Sequence, residues 1–309
     1  MKFIITKEYS GHRLDKFITH KLGTFSRSQI QKMIKNGKIT VNDKKTTPHN
    51  FLKENDEITI TRHPERSDGI SKKLKLPKFK TITETPDYIV IEKPAGVVVH
   101  GALGIKEPTL VDAIVKKYPD IKKVYDKKDK CSEIRPGIVH RLDKEASGLM
   151  VVARNTKSLN SLKKQFQERK VKKVYYALVD GNIESETGTI NTPLLKNKEG
   201  LMAARTDAKN EEAREALTTF AVEKRFKNYT LLKVEIHTGR THQIRAHLKS
   251  IGHSIVGDEL YVTRSHEGAL IKRRKVDRAK LGRIFLHASE LGFWNLAKKW
   301  QEFKTPLPK

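Results

Sequence analysis

Residues 135–154, RPGIVHRLDKEASGLMVVAR, crowd reactive polar side chains between apolar ones. Asp143 stands among them, in a predicted loop that follows a Pro-Gly turn and precedes an apolar strand. A carboxylate in such a place must be paired or functional, because an unpaired buried charge costs several kcal/mol. An ionised aspartate is also a nucleophile that can form a covalent intermediate and divide one difficult step into two easier ones. The segment by itself leaves a second interpretation open, in which Asp143 caps a helix or pairs with Arg141.

Three further polar motifs stand in order around this segment. They are KPAGVVVH at 93–100, KVYYALVDG at 173–181 and TGRTHQIR at 238–245. Together with GIVHRLDKEASGL at 137–149, they resemble the motifs of the RluA family of RNA pseudouridine synthases, and the resemblance extends over nearly all of residues 81–309. The chain departs from the family at Ala146, where Thr is usual, and in the tail after His287, which lacks the frequent His-Pro. The first departure predicts a local packing change, and the second bears on the rim of the substrate site.

The resemblance implies a cofactor-independent isomerisation, in which the glycosidic bond of a uridine is broken at N1 and remade at C5. In this family the aspartate of the motif is the nucleophile, which assigns that role to Asp143. Arg245 matches the arginine that pairs with it, and a neighbouring cation favours an ionised carboxylate. Tyr175 matches the active-site tyrosine, which stacks on the base and is a candidate general base. Arg141 matches a residue that fills the gap left in the RNA stack when the uridine is flipped out.

Each of these roles has a plainer alternative. Tyr175 also fits an ordinary strand tyrosine, and Arg245 fits a solvated arginine on a basic helix face. Arg240 and Gln243 fit structural roles and contacts with RNA phosphates equally well. We count both, together with His140 beside the nucleophile, among the candidate RNA-binding residues.

Four histidines between residues 237 and 253 raise the question of a metal site. Their five- and six-residue gaps do not place a pair on one helical face, and no H-E-x-x-H pattern accompanies them. The sequence also contains neither a Walker A motif nor a set of kinase motifs. These patterns predict neither a metal site nor a nucleoside triphosphate site. Together with the cofactor-independent reaction that the resemblance implies, they lead us to expect no metal and no cofactor.

The first 64 residues predict a small α/β unit around two helices. Apolar residues recur at helical spacing over 12–21 and again over 30–34. Asn36-Gly37 ends the second helix, because glycine readily adopts the left-handed conformation found there. A strand is predicted over 58–60.

This unit, RLDKF…SRSQIQKMIKNGKITVNDKK…ENDEITI, resembles the S4 RNA-binding domain over about 50 residues. In that family the two helices present basic side chains to structured RNA. The matching positions are Arg13, Arg27, Ser28 and Lys32. Residues 11–64 contain 11 Lys or Arg against 5 Asp or Glu, a net charge of +6. The alternative is a small basic helical module whose lysines are merely solvated.

Strands outnumber helices in the rest of the chain. The pattern predicts strands at 88–92, 149–153, 174–179, 218–222, 229–236 and 283–287, and helices at 109–118, 156–168 and 241–250. Because strands and helices do not alternate, we expect an α+β unit with a mixed, largely antiparallel sheet. The predicted domains are an S4-like domain at 1–64, a linker at 65–80 and a catalytic domain at 81–309.

Charge narrows the choice of partner. The 309 residues include 63 Lys or Arg and 36 Asp or Glu, a net charge of +27. This excess indicates a polyanion, with nucleic acid as the first candidate and an anionic membrane surface as the second. No apolar run approaches the roughly 20 residues that span a bilayer, and a single cysteine, Cys131, excludes a disulfide framework. We expect a cytoplasmic protein that binds RNA, contacts no membrane and needs no obligate protein partner.

The leading hypothesis is an RNA pseudouridine synthase that acts on structured RNA, with large-subunit ribosomal RNA as the expected substrate. One alternative is a non-catalytic RNA-binding or ribosome-assembly protein with a degenerate synthase domain. Another is an RNA chaperone that modifies its target only incidentally. The presence of Asp143, Tyr175 and Arg245 together favours the enzyme.

Overall fold

The computed structural model describes residues 2–22, 27–60, 75–101, 107–126, 132–205, 212–262 and 281–308. These residues divide into two compact units, one up to residue 60 and the other from residue 75 onward. The predicted linker lies outside the described residues as far as residue 74, as does Cys131. Lys80, the last residue of that predicted linker, already begins a strand.

The first unit packs two helices against a small antiparallel sheet. Its elements are β1 (Lys2–Ile4), α1 (Leu14–Leu22), α2 (Arg27–Lys35), β2 (Ile39–Val41), β3 (Lys44–Lys45) and β4 (Glu57–Ile60). The strands lie in the order β1-β4-β2-β3. Leu14 and Ile18 of α1 share one buried cluster with Ile30 and Ile34 of α2. The two predicted helices and the predicted strand are confirmed, and α1 begins at Leu14.

Helix α2 ends as the Asn36-Gly37 pair predicts. Gly37 has a φ of 68°, in the left-handed region. Its N–H donates to the carbonyl of Ile34 at 2.9 Å, and the N–H of Lys38 donates to Met33 at 2.9 Å. These two bonds satisfy carbonyls that the end of a helix leaves open. The chain can therefore turn directly into β2.

The second unit is built on a mixed sheet of nine strands. Its elements are β5 (Lys80–Glu84), β6 (Tyr88–Lys93), α3 (Leu110–Lys117), β7 (Ser147–Ala153), α4 (Thr156–Gln167), β8 (Lys172–Asp180), β9 (Thr187–Asn191), β10 (Leu194–Lys196), β11 (Met202–Ala204), β12 (Leu217–Arg225), β13 (Tyr229–Ile236), α5 (Gln243–Ser250), β14 (Leu286–Trp294) and β15 (Trp300–Lys304). The large sheet has the order β5-β6-β7-β14-β8-β13-β12-β9, with β15 beside β14. Its pairs are antiparallel except for β7 with β14. The predicted α+β class and the largely antiparallel sheet are confirmed.

Both faces of the sheet are covered. Because side chains alternate along a strand, Met150 and Val152 of β7 join a cluster with residues of α3 and α5. Leu149 and Val151 join a second cluster, which includes Leu159 of α4. Strands buried on both faces read as continuous apolar runs, which made β6 and β7 easy to predict.

The strand predicted at 283–287 is wrong at its beginning, since β14 starts at Leu286. The N–H of Phe285 donates to the carbonyl of Val256, and the carbonyl of Phe285 accepts from the N–H of Leu178. Phe285 therefore belongs to the loop that precedes β14. Strands β5, β9 and β15 were not predicted. Their sequences KTITE, TGTIN and WQEFK are polar or short. Within the described ranges, no helix is long and apolar enough to cross a membrane.

Candidate active site

A cleft of about 480 Å³ opens on the face of the sheet that carries α5. Its walls are the loop 136–146, the end of α4 with the start of β8, and the turn 236–242 that leads into α5. The residues that line it include His140, Arg141, Asp143, Ala146, Phe166, Arg169, Lys173, Tyr175, Thr238, Arg240, His242, Gln243 and Arg245. All three predicted catalytic residues therefore lie in one cleft, although up to 102 residues separate them in the sequence.

Buried apolar side chains hold the loop 136–146. Ile138 and Leu142 both join the main buried cluster. Ala146, at the position where the family usually has Thr, is 1% exposed and lies in the same cluster. Asp143 lies between these anchors, with 17% of its side chain exposed to the cleft. The carboxylate is thus reachable by a ligand while its backbone is fixed.

Arg245 lies between two carboxylates. Its Nε and Nη2 donate to Oδ2 and Oδ1 of Asp258 at 2.6 and 2.9 Å. Its Nη1 lies 3.6 Å from Oδ2 of Asp143. The side chain of Asp258 is fully buried, and it also accepts backbone N–H groups of Leu260 and Tyr261. Asp258 therefore fixes the plane of the guanidinium so that the remaining nitrogen faces Asp143.

His242 also lies beside Asp143, and the sequence analysis assigned it no role. Its Nε2 is 3.9 Å from Oδ1 of Asp143, and its Nδ1 is 3.0 Å from the hydroxyl of Tyr261. Its φ of 51° is left-handed, which is uncommon for a residue other than glycine. Burial lowers the pKa of His242, although the charge of Asp143 acts in the opposite direction. The imidazole is therefore largely neutral at pH 7, and Arg245 provides the cation beside Asp143.

Tyr175 lies on β8, with its ring in the cleft. It is 7% exposed. Burial raises the pKa of its phenol, and the negative charge of Asp143 raises it further. At neutral pH the side chain is therefore an uncharged phenol that can stack or donate a hydrogen bond.

Lys93, the first residue of the KPAG motif, holds two loops together. Its ammonium is fully buried and donates to the carbonyls of Pro94, Val97 and Lys144 at 2.8, 2.9 and 3.1 Å. Burial lowers the pKa of Lys93 to about 7, against the opposing effect of Asp143. Since Lys144 follows Asp143 directly, this contact fixes the backbone on the C-terminal side of the carboxylate.

Ser147 and Gly148 attach the same loop to β14. The hydroxyl of Ser147 lies 2.8 Å from Nδ1 of His287 and accepts from Arg283 at 2.5 Å. Gly148 has a φ of 120°, and a Cβ there would overlap the backbone of Ala288 on the neighbouring strand. Only glycine can adopt this positive φ and also leave room for the backbone of Ala288, which explains the glycine of the Ser-Gly pair.

The two polar residues before Asp143 differ in their contacts. The ring of His140 stacks on Phe166, with centroids 4.6 Å apart, and its Nε2 accepts the N–H of Val151 at 3.1 Å. Burial, with a smaller effect of Lys173, lowers the pKa of His140 to about 3. The histidine is therefore neutral and helps to build the wall. Arg141 is exposed at the mouth of the cleft.

Gln243 is engaged within the protein at both ends of its amide. Its Oε1 accepts from the Thr238 hydroxyl at 2.7 Å and from the N–H of Arg240 at 3.1 Å. Its Nε2 donates to the carbonyl of Leu217 and the hydroxyl of Thr218, both at 3.0 Å. Gln243 thus braces the turn 238–240. The side chain of Arg240 lines the cleft, and its Nε donates to the carbonyl of Glu215 at 3.0 Å.

The four histidines of the 237–253 segment bond to different partners. His237 contacts Thr219, and His253 contacts the carbonyl of Asp180. His247 contacts Thr218 and the carbonyl of Thr192. In the described part of the chain, no three side chains of His, Cys, Asp or Glu converge in a way that could hold a metal ion.

In the first unit, two predicted RNA contacts surround a buried acid. Asp15 accepts from Nε and Nη2 of Arg13 at 3.1 and 2.9 Å, from Nε of Arg27 at 2.9 Å, and from Gln31 at 2.8 Å. The Asp15 side chain is fully buried, while those of Arg13 and Arg27 are 24% and 46% exposed. Both arginines therefore have a structural role, whatever else they contact.

The other two predicted contacts lie on α2. Lys32 is exposed. The backbone of Ser28 is helical, but its side chain lies outside the described part of the structure. Three of the four predicted RNA contacts in this unit therefore lie on α2, and Arg13 lies directly before α1.

Comparison with known proteins identifies the family. The model of the family described as RNA pseudouridylate synthase matches residues 87–250, more than half of the chain, and the S4 domain model matches residues 12–58. The chain belongs to the RNA pseudouridine synthase family. It is an isomerase of this family with an S4 domain at its N-terminal end, as the RluA-like motifs predict.

Individual relatives agree with this assignment. An uncharacterised RNA pseudouridine synthase of Aquifex aeolicus is 37% identical over 97% of this chain and 92% of its own length. The ribosomal large subunit pseudouridine synthase C of Haemophilus ducreyi is 32% identical over 98% of this chain and 90% of its own. Among solved structures, human RNA pseudouridylate synthase domain containing 1 superposes with a TM-score of 0.57 at 25% identity, covering 74% of this chain and 83% of that one. The fold of this chain is therefore shared with solved pseudouridine synthase structures.

Proposed function

We propose that this synthase isomerises uridines of large-subunit ribosomal RNA, with Asp143 as the covalent nucleophile. The observation that carries the proposal is the pairing of a partly exposed carboxylate with a buried, pre-positioned arginine, at 3.6 Å between Asp143 and Arg245. The substrate class rests on the S4 domain and on relatives named as ribosomal large subunit synthases.

The proposed chemistry uses the carboxylate twice. An oxygen of Asp143 attacks C1′ of the ribose, and the electron pair of the broken C1′–N1 bond remains on the uracil. The uracil turns within the cleft, and C5 then attacks C1′ and displaces the carboxylate. The proton on C5 leaves and N1 gains one, so the product is an isomer and Asp143 returns to its starting state. Arg245 favours the carboxylate both before attack and after release, because the cation stabilises the negative charge.

Tyr175 acts in this proposal as a neutral surface for the uracil. Its raised pKa opposes the loss of the phenolic proton near pH 7. Stacking requires no change of protonation, and a flipped base needs such a surface to replace its lost neighbours. The phenol can also donate a hydrogen bond to the base while the base turns.

Arg141 acts at the mouth of the cleft. A uridine inside a helix must leave its stack to reach Asp143, which costs a few kcal/mol. Arg141, two residues before Asp143, is exposed and lines the cleft, which supports a role for its guanidinium in filling the gap. A planar cation can stack on the neighbouring bases and offset part of that cost.

The test is the variant Asp143→Asn, assayed by tritium release from ribosomal RNA labelled at uridine C5. The amide is nearly the same size and cannot act as the nucleophile, so we expect no detectable turnover while RNA binding persists. Asp120→Asn is the matched control, because Asp120 is 52% exposed, pairs with Arg154 and does not line the cleft. Normal turnover by the Asp143 variant would contradict the covalent mechanism. If the wild-type protein modified uridines of other RNAs but none in large-subunit ribosomal RNA, the proposed substrate would be wrong.

A further inference from the structure

Lys173 is a buried cation at the end of the cleft formed by the end of α4 and the start of β8. It lies on β8, is 8% exposed and lines the cleft. An ammonium group has three donors. Within the described residues, the ammonium of Lys173 makes a long hydrogen bond, 3.5 Å from Nζ to the carbonyl oxygen of Thr238. The charge is thus removed from water without a full set of acceptors, which is costly unless a ligand supplies them.

The surroundings of Lys173 compensate its charge only in part. Burial lowers the pKa of Lys173 to about 8, the charge of Glu235 acts in the opposite direction, and Arg169 lowers it further. The neighbouring ring of His140 is neutral. In contrast, Lys93, another buried lysine of the same unit, has three carbonyl partners.

More positive charge surrounds this end of the cleft. Arg169 and Arg240 both line it. Burial lowers the pKa of Arg240, and the charges of Arg214 and Arg169 lower it further, so these cations lie close enough to repel one another. Glu215 pairs with Arg169 at 3.1 Å. A cluster with more cations than carboxylates is stable only with an anion or with solvent, and Lys173 has little access to solvent.

The position of Lys173 on its strand indicates which anion fits. Lys173 and Tyr175 are two residues apart on β8, so their side chains lie on the same face, about 7 Å apart along the strand. Both line the cleft, and Tyr175 lies near Asp143. A ligand that contacts both side chains therefore extends along β8 within the cleft, as a nucleotide with its base at one side chain and its phosphate at the other can.

We propose that Lys173, with Arg169 and Arg240 at its rim, forms a subsite for the phosphate of the nucleotide whose base reacts at Asp143. The inference rests on the proposed function, since it takes the uridine to lie between Tyr175 and Asp143. The ammonium donates two hydrogen bonds to phosphate oxygens and keeps the third for Thr238. Charge-assisted bonds of this kind are stronger and shorter than neutral ones.

The experiment measures binding of three small probes to the full-length protein: uridine, uridine 5′-monophosphate and uridine 3′-monophosphate. We expect one of the monophosphates to bind at least about tenfold more tightly than uridine at pH 7. Lys173→Met should remove this preference and leave the weak binding of uridine unchanged. Lys157→Met is the matched control, because Lys157 is exposed at the opposite end of α4 and does not line the cleft. It should keep the preference.

A pH titration separates phosphate binding from a merely structural role. Above pH 7 the charge of a phosphate monoester is constant, since its second pKa is about 6. The preference for phosphate should therefore fall as pH rises through about 8, where Lys173 loses its proton. Lys173→Arg should keep the preference without this fall, because a guanidinium stays protonated.

Two results would overturn the inference. One is equal affinity of the wild-type protein for uridine and for both monophosphates. The other is a phosphate preference that persists in Lys173→Met. Either result leaves the role of Asp143 intact, because Asp143→Asn tests that role by turnover alone.

Discussion

At the level of single residues, each unit contains a buried charged side chain that is paired with side chains of opposite charge. Arg245 has Asp258 on one side and Asp143 on the other. Asp15 has Arg13 and Arg27. Removing one partner of such a group leaves an uncompensated buried charge, which costs more than the pair contributes. We therefore expect the loss of Asp258 or of Arg13 to destabilise its unit, because a buried charge would lose a partner.

Asp15 makes the first unit sensitive to acid. Burial by itself would raise the pKa of its carboxyl, but hydrogen bonds from Gln31, Arg27 and Arg13 outweigh this and lower it from 3.8 to about 2. A folded-state pKa below the unfolded one stabilises the fold above about pH 4, and this contribution is lost as pH falls toward 2. The loss is at most about 2 kcal/mol.

Urea unfolding, followed through the amide NMR signals of α1 and α2, measures this effect. Wild-type stability should fall between pH 5 and pH 2.5 more steeply than that of Asp15→Asn, which should be less stable at pH 6. Parallel pH curves for the two proteins would show that Asp15 does not supply the acid sensitivity.

At the level of the elements, the parallel contact of β7 with β14 joins β5, β6 and β7 to the other strands of the large sheet. It consists of two residue pairs, Ser147 with His287 and Gly148 with Ala288. The loop with Asp143 ends where this contact begins, and β8 with Tyr175 lies on the other side of β14. A shift of β14 would therefore move both side chains to which we assign roles at the site, Asp143 and Tyr175.

Gly148→Ala should destabilise the second unit by at least about 3 kcal/mol, because the new Cβ adds a backbone clash to the strain of a positive φ. Gly252→Ala is the matched control: its φ is 89°, but a Cβ there meets no atom within 4 Å. It should cost about 1 kcal/mol. Denaturant unfolding by tryptophan fluorescence, from Trp294 and Trp300, measures both. Equal losses in the two variants would contradict the close approach of β7 and β14.

At the scale of the whole molecule, charge determines how RNA is held. The chain carries a net charge of +27, of which residues 11–64 contribute +6. Phosphate contacts release counterions, so the logarithm of affinity falls linearly with the logarithm of salt concentration. The two units should each contribute to that slope.

Deletion of residues 1–64 should weaken RNA binding and flatten its salt dependence, by roughly 0.7–0.9 in slope for each phosphate that is no longer neutralised. Filter binding to ribosomal RNA at several salt concentrations gives the slope. Tritium release at low salt serves as the control, since it reports whether the catalytic unit remains folded. An active truncated protein with an unchanged slope would remove the case for RNA binding by the first unit.

Local sequence patterns determined most of the element order. Helical spacing identified α1 to α5, and apolar runs identified β6, β7, β8, β12 and β13. Glycine chemistry identified the end of α2 at Gly37. The spacing and order of the motifs also indicated the family, and they named the three residues that meet in the cleft. These features depend on residues close together in the chain or on motifs that keep their order, so one sequence is enough to read them.

The hydrogen-bond or packing partner of each polar side chain is visible only in the three-dimensional structure. Gln243 braces a turn, His140 forms part of a wall, and Asp258 orients Arg245. The incomplete coordination of Lys173 and the clash that requires Gly148 appear only when distant strands are paired. The physical reason is that burial and hydrogen-bond partnership depend on contacts between residues far apart in the chain, whereas periodicity and turn chemistry are local. The composition indicated a polyanionic partner from the outset, and the fold determined which of the many cations line the cleft.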